Sequence, residues 1–406
     1  MAVRTGKQFL EGLRDGREIW LEGERVEDVT THPKLSRMAH TLASIYDLQV
    51  SPEHHEVMTF KSPSTGEPVA RSYKIPETQD DLLARRKALE VVAHWSFGML
   101  GRTPDYVNIQ LTEGLDTGIA VSPVMYRSPV AFAMSGGTLS QMTGGRFHMG
   151  IGTGGVYRPR TRRTMGMPRV SALAMMRDYL ITVRGLVAGE QADYQGDVVT
   201  LRGVKLGIEP PPRTPVYLGA LGPEMLRLSG ELADGACLNW CNPEQIAWSR
   251  EKINEGAAKA GRDPGGIKMV EYIRVCVDDD VDTAKRAYAR STMGYALGQE
   301  VPTARERGLG YRGHFERMGF TEELGELDRM RTGGASRDDV ADAFSSDLLL
   351  NVGYYGQAQG AAAAFGKLAK GLDVAVVRVV AARPTLESTL AVMRACSPGL
   401  VAGASV

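Results

Sequence analysis

The sequence predicts an α/β fold in which a parallel, TIM-barrel-like domain follows an N-terminal α+β segment. From residue 116 onward, short apolar runs that end in Gly or Pro alternate with amphipathic stretches of helical spacing. Two glycine-rich stretches, 150–155 and 219–235, follow directly on such runs. Before residue 107 this alternation is absent and turn residues are frequent. We therefore expect two domains, 1–106 and 107–406.

The composition is that of an ordinary globular protein. Of the 406 residues, 43% are hydrophobic, and 48 Lys and Arg balance 48 Asp and Glu. Such a balance predicts no nucleic-acid or membrane partner, and no apolar run approaches the ~20 residues that cross a bilayer. The four cysteines lack metal-ligand spacing and are expected to be small core residues, with no metal site. A cytoplasmic protein is the expectation.

The N-terminal segment is expected to combine helices with turn-rich chain. The stretch 17–33 carries Ile19, Leu21, Val26 and Val29 on either side of a Glu-Gly-Glu turn, which predicts a β-hairpin. Residues 50–77 contain four prolines and are expected to be a loop that can include a strand. Apolar spacing predicts helices over 5–16, 34–49 and 78–101.

After residue 116 the elements alternate as in a parallel barrel. Strands are expected over 116–123, 214–222, 235–240, 267–277 and 374–382, and a strand with its loop over 146–155. Helices are expected over 129–142, 168–188, 223–233, 243–261 and 384–395, with a hairpin at 191–208 and a long insertion at 298–346. A complete barrel has eight strands, so the first two are missing. The barrel is expected to be incomplete, or completed by N-terminal strands or a partner chain.

The stretch 219–235 has the pattern of a phosphate-binding turn. Gly219 and Gly222 follow a strand, and Pro223 suits the first position of the next helix, where its missing amide would be unpaired anyway. Free amides and the positive end of the helix dipole favour an anion there. A tight strand–helix turn with no ligand explains the same residues equally well.

A second glycine-rich loop, 150–155, ends another strand. Its glycines remove side chains where a flat ring could lie against the backbone, although strand curvature alone would also use them. Active sites of barrels lie at the carboxyl ends of the strands. Two such loops on that face point to a binding site more strongly than either loop alone.

Residues 116–396 resemble the bacterial-luciferase-like superfamily, in particular its deazaflavin (coenzyme F-420) dependent oxidoreductases. The resemblance rests on 118–133, 143–154, 217–235 and 371–384. It implies coenzyme F-420 as cofactor, with FMN as the alternative. It also implies these cofactor-binding residues: Ile119 and Ala120, joined by a non-prolyl cis peptide behind the ring; Ser122, Thr153 and Gly154; and Leu221, Gly222, Glu224 and Met225 around the phosphate.

The sequence also departs from that family. Where many deazaflavin dehydrogenases have a glutamate after Gly-Thr-Gly, this chain has Gly155. The acid–base histidine of those enzymes comes from the second barrel strand, which is missing here. The catalytic residue therefore stays unassigned. Five arginines follow the glycine loop, from Arg158 to Arg169, and either bind an anionic tail or form a solvated loop.

Residues 9–33 and 95–106 resemble a different family, the flavin-dependent 4-hydroxyphenylacetate 3-monooxygenases. In that family the arginine and tyrosine of the motif GRTPDY bind the phenolic substrate, which implies Arg102 and Tyr106 here. The remaining domains of that family are absent, and a motif without its partners seldom keeps its function. A structural remnant is therefore the favoured interpretation of this pair.

Together these observations predict an oxidoreductase or monooxygenase that acts on a small organic substrate by hydride transfer or oxygen insertion. We expect a homo-oligomer, with a flavin or deazaflavin reductase as a further partner. The alternative is a non-catalytic fusion or interaction protein that has lost its redox site. The missing strands favour the alternative, whereas the intact 217–240 stretch argues against it.

Overall fold

A computed structural model describes residues 3–16, 18–21, 24–96, 117–156, 158–164, 166–208, 214–298, 301, 308, 310–397 and 399. The chain divides into two compact units, Met1–Thr117 and Gly118–Val406. The predicted boundary between 106 and 107 lies outside the described residues and stays a prediction. Arg102 and Tyr106 also lie outside them.

The described part of the N-terminal unit contains four helices and two short hairpins. They are α1 (Gly6–Gly12), β1 (Ile19–Leu21), β2 (Glu24–Val26), α2 (Ser36–Val50), α3 (His55–Met58), β3 (Thr59–Lys61), β4 (Pro68–Ala70) and α4 (Gln79–Trp95). Each hairpin forms a two-stranded sheet of its own. The predicted helices and the hairpin at 17–33 are confirmed, and the stretch 50–77 holds a second hairpin. That hairpin is fixed by Arg71, whose Nε donates to the Val57 carbonyl at 2.7 Å.

The second unit is built on a seven-stranded sheet and one separate hairpin. Its strands are β5 (Thr117–Pro123), β6 (Phe147–Gly152), β7 (Ala192–Gln195), β8 (Thr200–Val204), β9 (Val216–Gly219), β10 (Gly235–Asn239), β11 (Lys268–Val277), β12 (Gly353–Gly356) and β13 (Val374–Val379). The sheet order is β12-β11-β10-β9-β6-β5, with β13 also on β11, and β7 pairs with β8. All six predicted barrel strands are present, and β12, which follows the predicted insertion 298–346, is an additional strand.

Helices follow the strands as crossover connections. They are α5 (Pro129–Met142), α6 (Pro159–Thr164), α7 (Ala172–Val187), α8 (Pro223–Leu232), α9 (Pro243–Lys259), α10 (Val281–Ala296), α11 (Gly310–Arg317), α12 (Thr321–Thr332), α13 (Arg337–Asp342), α14 (Ser346–Asn351), α15 (Ala358–Leu368) and α16 (Leu386–Ala395). Of these, the helices that were not predicted as elements are α6, α10 to α14, and α15. Within the described ranges, no helix is both long and apolar enough to cross a bilayer.

Strand alternation separates two faces of the sheet. Ile151, Leu218 and Leu238 point outward and are buried under the helices, each contributing about 1.5–3 kcal/mol. Further along the sheet, β11 and β13 pack against α15 and α16 in the same way. The intervening residues point to the barrel interior, where Tyr217, Cys237 and Val270 form a small cluster.

The barrel is incomplete. Among the described strands, β5 has one neighbour, β6, and β13 has one neighbour, β11. Apolar side chains on these two edge strands are exposed, notably Ile119, Val121, Val374 and Val376. The expectation of an incomplete barrel is therefore confirmed for the described part of the chain, whereas the absence of the first two strands in particular stays a prediction.

Candidate functional site

The loops that end β5 and β6 touch each other. Gly154 has a φ of +59°, and a Cβ on it would lie 2.3 Å from the Cβ of Pro123 and 3.0 Å from the Sδ of Met125. Only glycine meets both demands, the left-handed backbone and the close approach. The structure thus brings Ser122 on β5 to the same edge as Thr153 and Gly154.

Glycines line the inner face of the sheet below these loops. A Cβ on Gly152 would lie 2.8 Å from a methyl of Val121, and one on Gly219 would lie 3.1 Å from the same methyl. A Cβ on Gly150 would lie 2.3 Å from the Ile119 carbonyl oxygen. Side chains at these three positions would therefore crowd β5, whose Val121 packs across the glycines.

The cis peptide lies one residue later than expected. The resemblance placed it between Ile119 and Ala120, whereas the structure has it between Ala120 and Val121. That assignment was wrong because the matching residues fixed the strand but not the register within it. Both predicted residues lie on the edge strand β5. Ala120 packs against the interior cluster of Tyr217, Cys237 and Val270, and Ile119 is exposed.

Helix α8 begins at the carboxyl end of β9 without a side-chain cap. Its N-cap is Gly222, with φ −91° and ψ 157°, and Pro223 takes the first helical position. By contrast, Ser128 caps α5 and Asn242 caps α9 through side-chain oxygens. A Cβ on Gly222 would meet nothing within 4 Å. Neither the backbone angle nor packing therefore requires glycine at this position.

The polar groups of the residues that flank Gly222 have partners within the protein. The Glu224 carboxylate pairs with Arg227 on the helix surface. The carbonyl of Leu221 accepts a hydrogen bond from the Arg317 guanidinium at 2.8 Å, and the Met225 carbonyl accepts one from Ser229 Oγ at 3.0 Å. An anion at this turn would thus be held by backbone amides, as the resemblance implies.

The arginine-rich stretch after the glycine loop forms the short helix α6. Arg162 donates to the Val156 carbonyl at 2.8 Å, so this arginine stabilises the turn that follows β6. Arg158, Arg160 and Arg163 are exposed. This distribution fits a solvated turn with exposed cations near the site.

A buried polar cluster at the ends of β10 and β11 was missed by sequence reasoning. Glu271 accepts a hydrogen bond from the Cys241 backbone amide at 2.7 Å, and burial raises the pKa of this carboxyl to about 8. His314 donates from Nε2 to the Trp240 carbonyl at 2.7 Å, and burial lowers its pKa to about 4. The sequence feature that could have indicated this cluster is the presence of charged residues, such as Glu271, inside the apolar run 267–277.

This cluster is connected to the turn at 219–222 that precedes α8. Arg317 lies 3.3 Å from Nδ1 of His314 and donates to the Leu221 carbonyl. Burial raises the pKa of Cys241 well above its usual value, so this thiol and the neutral imidazole form no thiolate pair. The cluster therefore positions the 221–222 backbone. Within the described residues, no group of three His, Cys, Asp or Glu could hold a metal ion.

Comparison with known proteins agrees with this architecture. Residues 107–372 match the luciferase-like monooxygenase family, and residues 5–117 match the 4-hydroxyphenylacetate 3-hydroxylase N-terminal domain. A coenzyme F-420 dependent tetrahydromethanopterin reductase from Methanopyrus kandleri superposes with a TM-score of 0.56 at 22% identity, over 72% of this chain and 86% of that one. An F-420-dependent secondary alcohol dehydrogenase gives 0.54 at 18%, over 76% and 83%. These likenesses show the fold.

Relatives by sequence match the two halves separately. A 5,10-methylenetetrahydromethanopterin reductase of Archaeoglobus fulgidus is 34% identical over 48% of this chain and 58% of its own length. The 4-hydroxyphenylacetate 3-monooxygenase oxygenase component of a Geobacillus species is 41% identical over 27% of this chain and 22% of its own. The chain thus spans less than two thirds of the length of either relative.

The family match covers more than half of the 406 residues. It includes the strands β5, β6 and β9 whose carboxyl ends converge in the structure, together with the uncapped start of α8. On this sequence match and this common fold, the chain belongs to the luciferase-like monooxygenase family.

Proposed function

We propose that the chain is an oxidoreductase that works through a deazaflavin or flavin, with a small organic molecule as substrate. The observation that carries this proposal is the convergence of the 122–123, 153–154 and 219–225 loops at one edge of the sheet. The inner glycines offer a floor without side chains, and the uncapped turn at Gly222 offers free amides beyond it. A flat ring with a phosphate-bearing chain fits this combination.

In this proposal the protein binds and orients the cofactor. Val121, Ser122, Thr153 and Gly154 would contact the ring. The backbone amides of Glu224 and Met225 would hold the phosphate, and Arg317 would keep the Leu221 backbone in place. The bound cofactor would supply hydride transfer, or oxygen insertion in the case of reduced FMN. Relatives with the F-420-dependent activity support the first reaction.

Cofactor titration of the purified full-length protein tests this proposal. We predict that coenzyme F-420 binds at least as tightly as FMN, because its longer anionic tail can reach the exposed arginines that follow Gly155. Calorimetric titration, supported by the absorbance of each bound cofactor, measures both affinities. Binding of FMN without binding of F-420 would reverse the ranking.

The second candidate is a non-catalytic interaction protein. The observation that favours it is the open sheet, which has seven strands among the described residues where a complete barrel has eight. Absence of binding for both cofactors would support this candidate against the oxidoreductase. The sequence also led us to expect a homo-oligomer and a partner reductase, and we propose both only together with the oxidoreductase function.

A further inference from the structure

Two arginines lie side by side on the inner face of the barrel. Arg274 on β11 and Arg378 on β13 are direct partners in the parallel register. Their neighbours along each strand, Val275 and Val379, pack outward against the helices. Because side chains alternate along a strand, both arginine side chains project from the inner face of the sheet.

Like charges in register repel each other, and the one carboxyl that acts electrostatically on Arg274 is Glu271, among the described residues. Among the described residues, neither guanidinium has a carboxylate within ion-pair distance. Glu271 lies on the outward face of β11, and its raised pKa of about 8 keeps it largely protonated at neutral pH. Arg274 is nevertheless only 4% exposed, so this buried cation has no ion-pair partner among the described residues.

Neutral groups hold Arg274 in one orientation. Its guanidinium stacks 3.7 Å from the ring centroid of Trp240 and lies 5.1 Å from that of Tyr295. Nη1 donates to Asn239 Oδ1 at 2.6 Å, and Asn239 Nδ2 donates to the Tyr311 hydroxyl at 2.8 Å. Trp240 itself has a φ of +61°, a conformation that clusters at functional sites.

The exposure of Arg378 leaves the pair approachable from solvent. Its side chain has no hydrogen bond to any described residue. Burial raises the pKa of the Tyr272 phenol, and both arginines act against that rise, so both lie within electrostatic range of this inner residue. Arg274 is thus the fixed member of the pair and Arg378 the accessible one.

The arginine pair lies on the same edge as the proposed cofactor site. In the register of the sheet, Cys237 on β10 is level with Gly219, and Asn239, two residues further on, is level with Tyr272. Arg274 lies two residues beyond Tyr272, at the carboxyl end of β11. Two strand spacings, about 10 Å in all, separate β11 from β9. A molecule the size of a small organic acid can span part of that gap.

We propose that Arg274 and Arg378 form an oxyanion subsite that binds a carboxylate or phosphoryl group of the substrate. A guanidinium presents parallel N–H donors that match both groups, and a bound oxyanion would supply the missing counter-charge. The assignment of this oxyanion to the substrate rests on the proposed redox function. The binding of an oxyanion does not.

Calorimetric titration of the cofactor-free full-length protein tests the subsite, with sodium benzoate and inorganic phosphate as separate probes. We expect one of the two probes to bind, and its identity tells a carboxylate from a phosphoryl group. Arg378→Gln, at an exposed position, should weaken that binding at least tenfold. Arg274→Lys should also weaken it, because the charge stays but the planar fork is lost. Arg329→Gln on the exposed surface of α12 serves as the matched control and should leave binding unchanged.

Several outcomes overturn the subsite. The first is that neither probe binds the wild type. The second is that Arg378→Gln binds the probe as tightly as the wild type. The third is that the Arg329→Gln control loses as much probe affinity as Arg378→Gln. Cofactor titrations of Arg378→Gln separate the two proposals, since its cofactor affinity should stay within twofold of the wild type. Oxyanion binding without cofactor binding would leave the subsite standing and remove the redox function. Weaker cofactor binding with unchanged probe binding would assign the pair to the cofactor instead.

Discussion

Glycines at the two proposed cofactor loops are present for opposite physical reasons. Gly154 is required by the fold, since it combines a positive φ with contact to Pro123. Gly222 has an ordinary φ and open space where a side chain would begin. A glycine that neither conformation nor packing demands is consistent with the approach of a ligand to the backbone.

We predict that Gly222→Asp weakens binding of F-420 or FMN at least tenfold, or about 1.4 kcal/mol. The carboxylate would repel the phosphate, although aspartate is a favourable N-cap and should keep or slightly raise the stability of α8. Fluorescence titration and thermal melting measure the two effects separately. Gly294→Asp, on the open surface of α10, is the control. Unchanged affinity in the folded Gly222→Asp variant would remove the phosphate assignment.

Gly154→Ala is predicted to lower stability by about 1–3 kcal/mol, because the new Cβ must displace Pro123 as well as adopt a positive φ. Gly166→Ala is the matched control, since Gly166 has a φ of +63° with nothing within 4 Å. Denaturant unfolding compares the two variants. Equal losses would show that the contact between the β5 and β6 loops contributes nothing beyond backbone strain.

At the scale of elements, β11 buries an acidic group on one face and a basic group on the other. Glu271 faces outward into a buried environment with one carboxylate oxygen, Oε2, lacking a hydrogen-bond partner among the described residues. Arg274 faces inward, and burial lowers the pKa of its guanidinium. A strand that buries both groups gives up stability, which is expected where a site constrains the sequence.

The Glu271 carboxyl makes a pH-dependent contribution to stability. Its pKa rises from 4.5 in the unfolded chain to about 8 in the folded one. The folded state therefore holds a proton that the unfolded state releases, and stability falls as the pH rises from about 4.5 to about 8. Glu271→Gln keeps the acceptor for the Cys241 amide and removes this titration.

We predict that Glu271→Gln gains stability relative to the wild type as the pH increases from 5 to 8, by roughly 2 °C or more in Tm at the upper end. Thermal melts of both proteins at a series of pH values measure the difference. A difference that is flat across this range would contradict the raised pKa. Lower stability of the variant at every pH would show that the carboxylate is paired in its ionised form.

At the scale of the whole molecule, the open sheet leaves parallel strand edges unpaired among the described strands, on β5, on β13 and on the short β12. Neither β5 nor β13 has a second neighbour among the described strands, and both carry exposed apolar side chains. Unpaired edges favour association or aggregation. The hairpins of the N-terminal unit pair only within themselves in the described structure. Whether the N-terminal unit or a second chain protects these edges is therefore a question for experiment.

We predict that deletion of residues 1–106 makes the remaining protein insoluble or molten, although every proposed cofactor loop is retained. Near-UV circular dichroism and solubility measure this, and light scattering of the full-length protein should show more than one chain. A soluble, cooperatively melting 107–406 fragment with normal cofactor affinity would make the N-terminal segment dispensable. Arg102 and Tyr106 would then have no role in the site.

Sequence reasoning was most reliable where short-range physics decides the structure. Alternating apolar runs and helical periods predicted the six barrel strands and their crossover helices, because side-chain periodicity depends only on neighbouring residues. The Gly222-Pro223 step predicted the start of α8 for the same reason. The site residues on these loops were reached through the family resemblance, and their contacts with a cofactor stay a prediction.

Tertiary structure decided which distant residues meet. Cys241 and Glu271 are 30 positions apart, and Cys241 and His314 are 73 apart, so no local pattern connects them. The cis peptide at Ala120–Val121 and the facing of Arg274 by Arg378 depend on strand register, which is set by long-range pairing. The sequence by itself determined the order of strands and helices and the position of the loops. The packing of one strand against the next determined the buried polar cluster, the glycine floor and the arginine pair, because each of these joins side chains from different strands or helices.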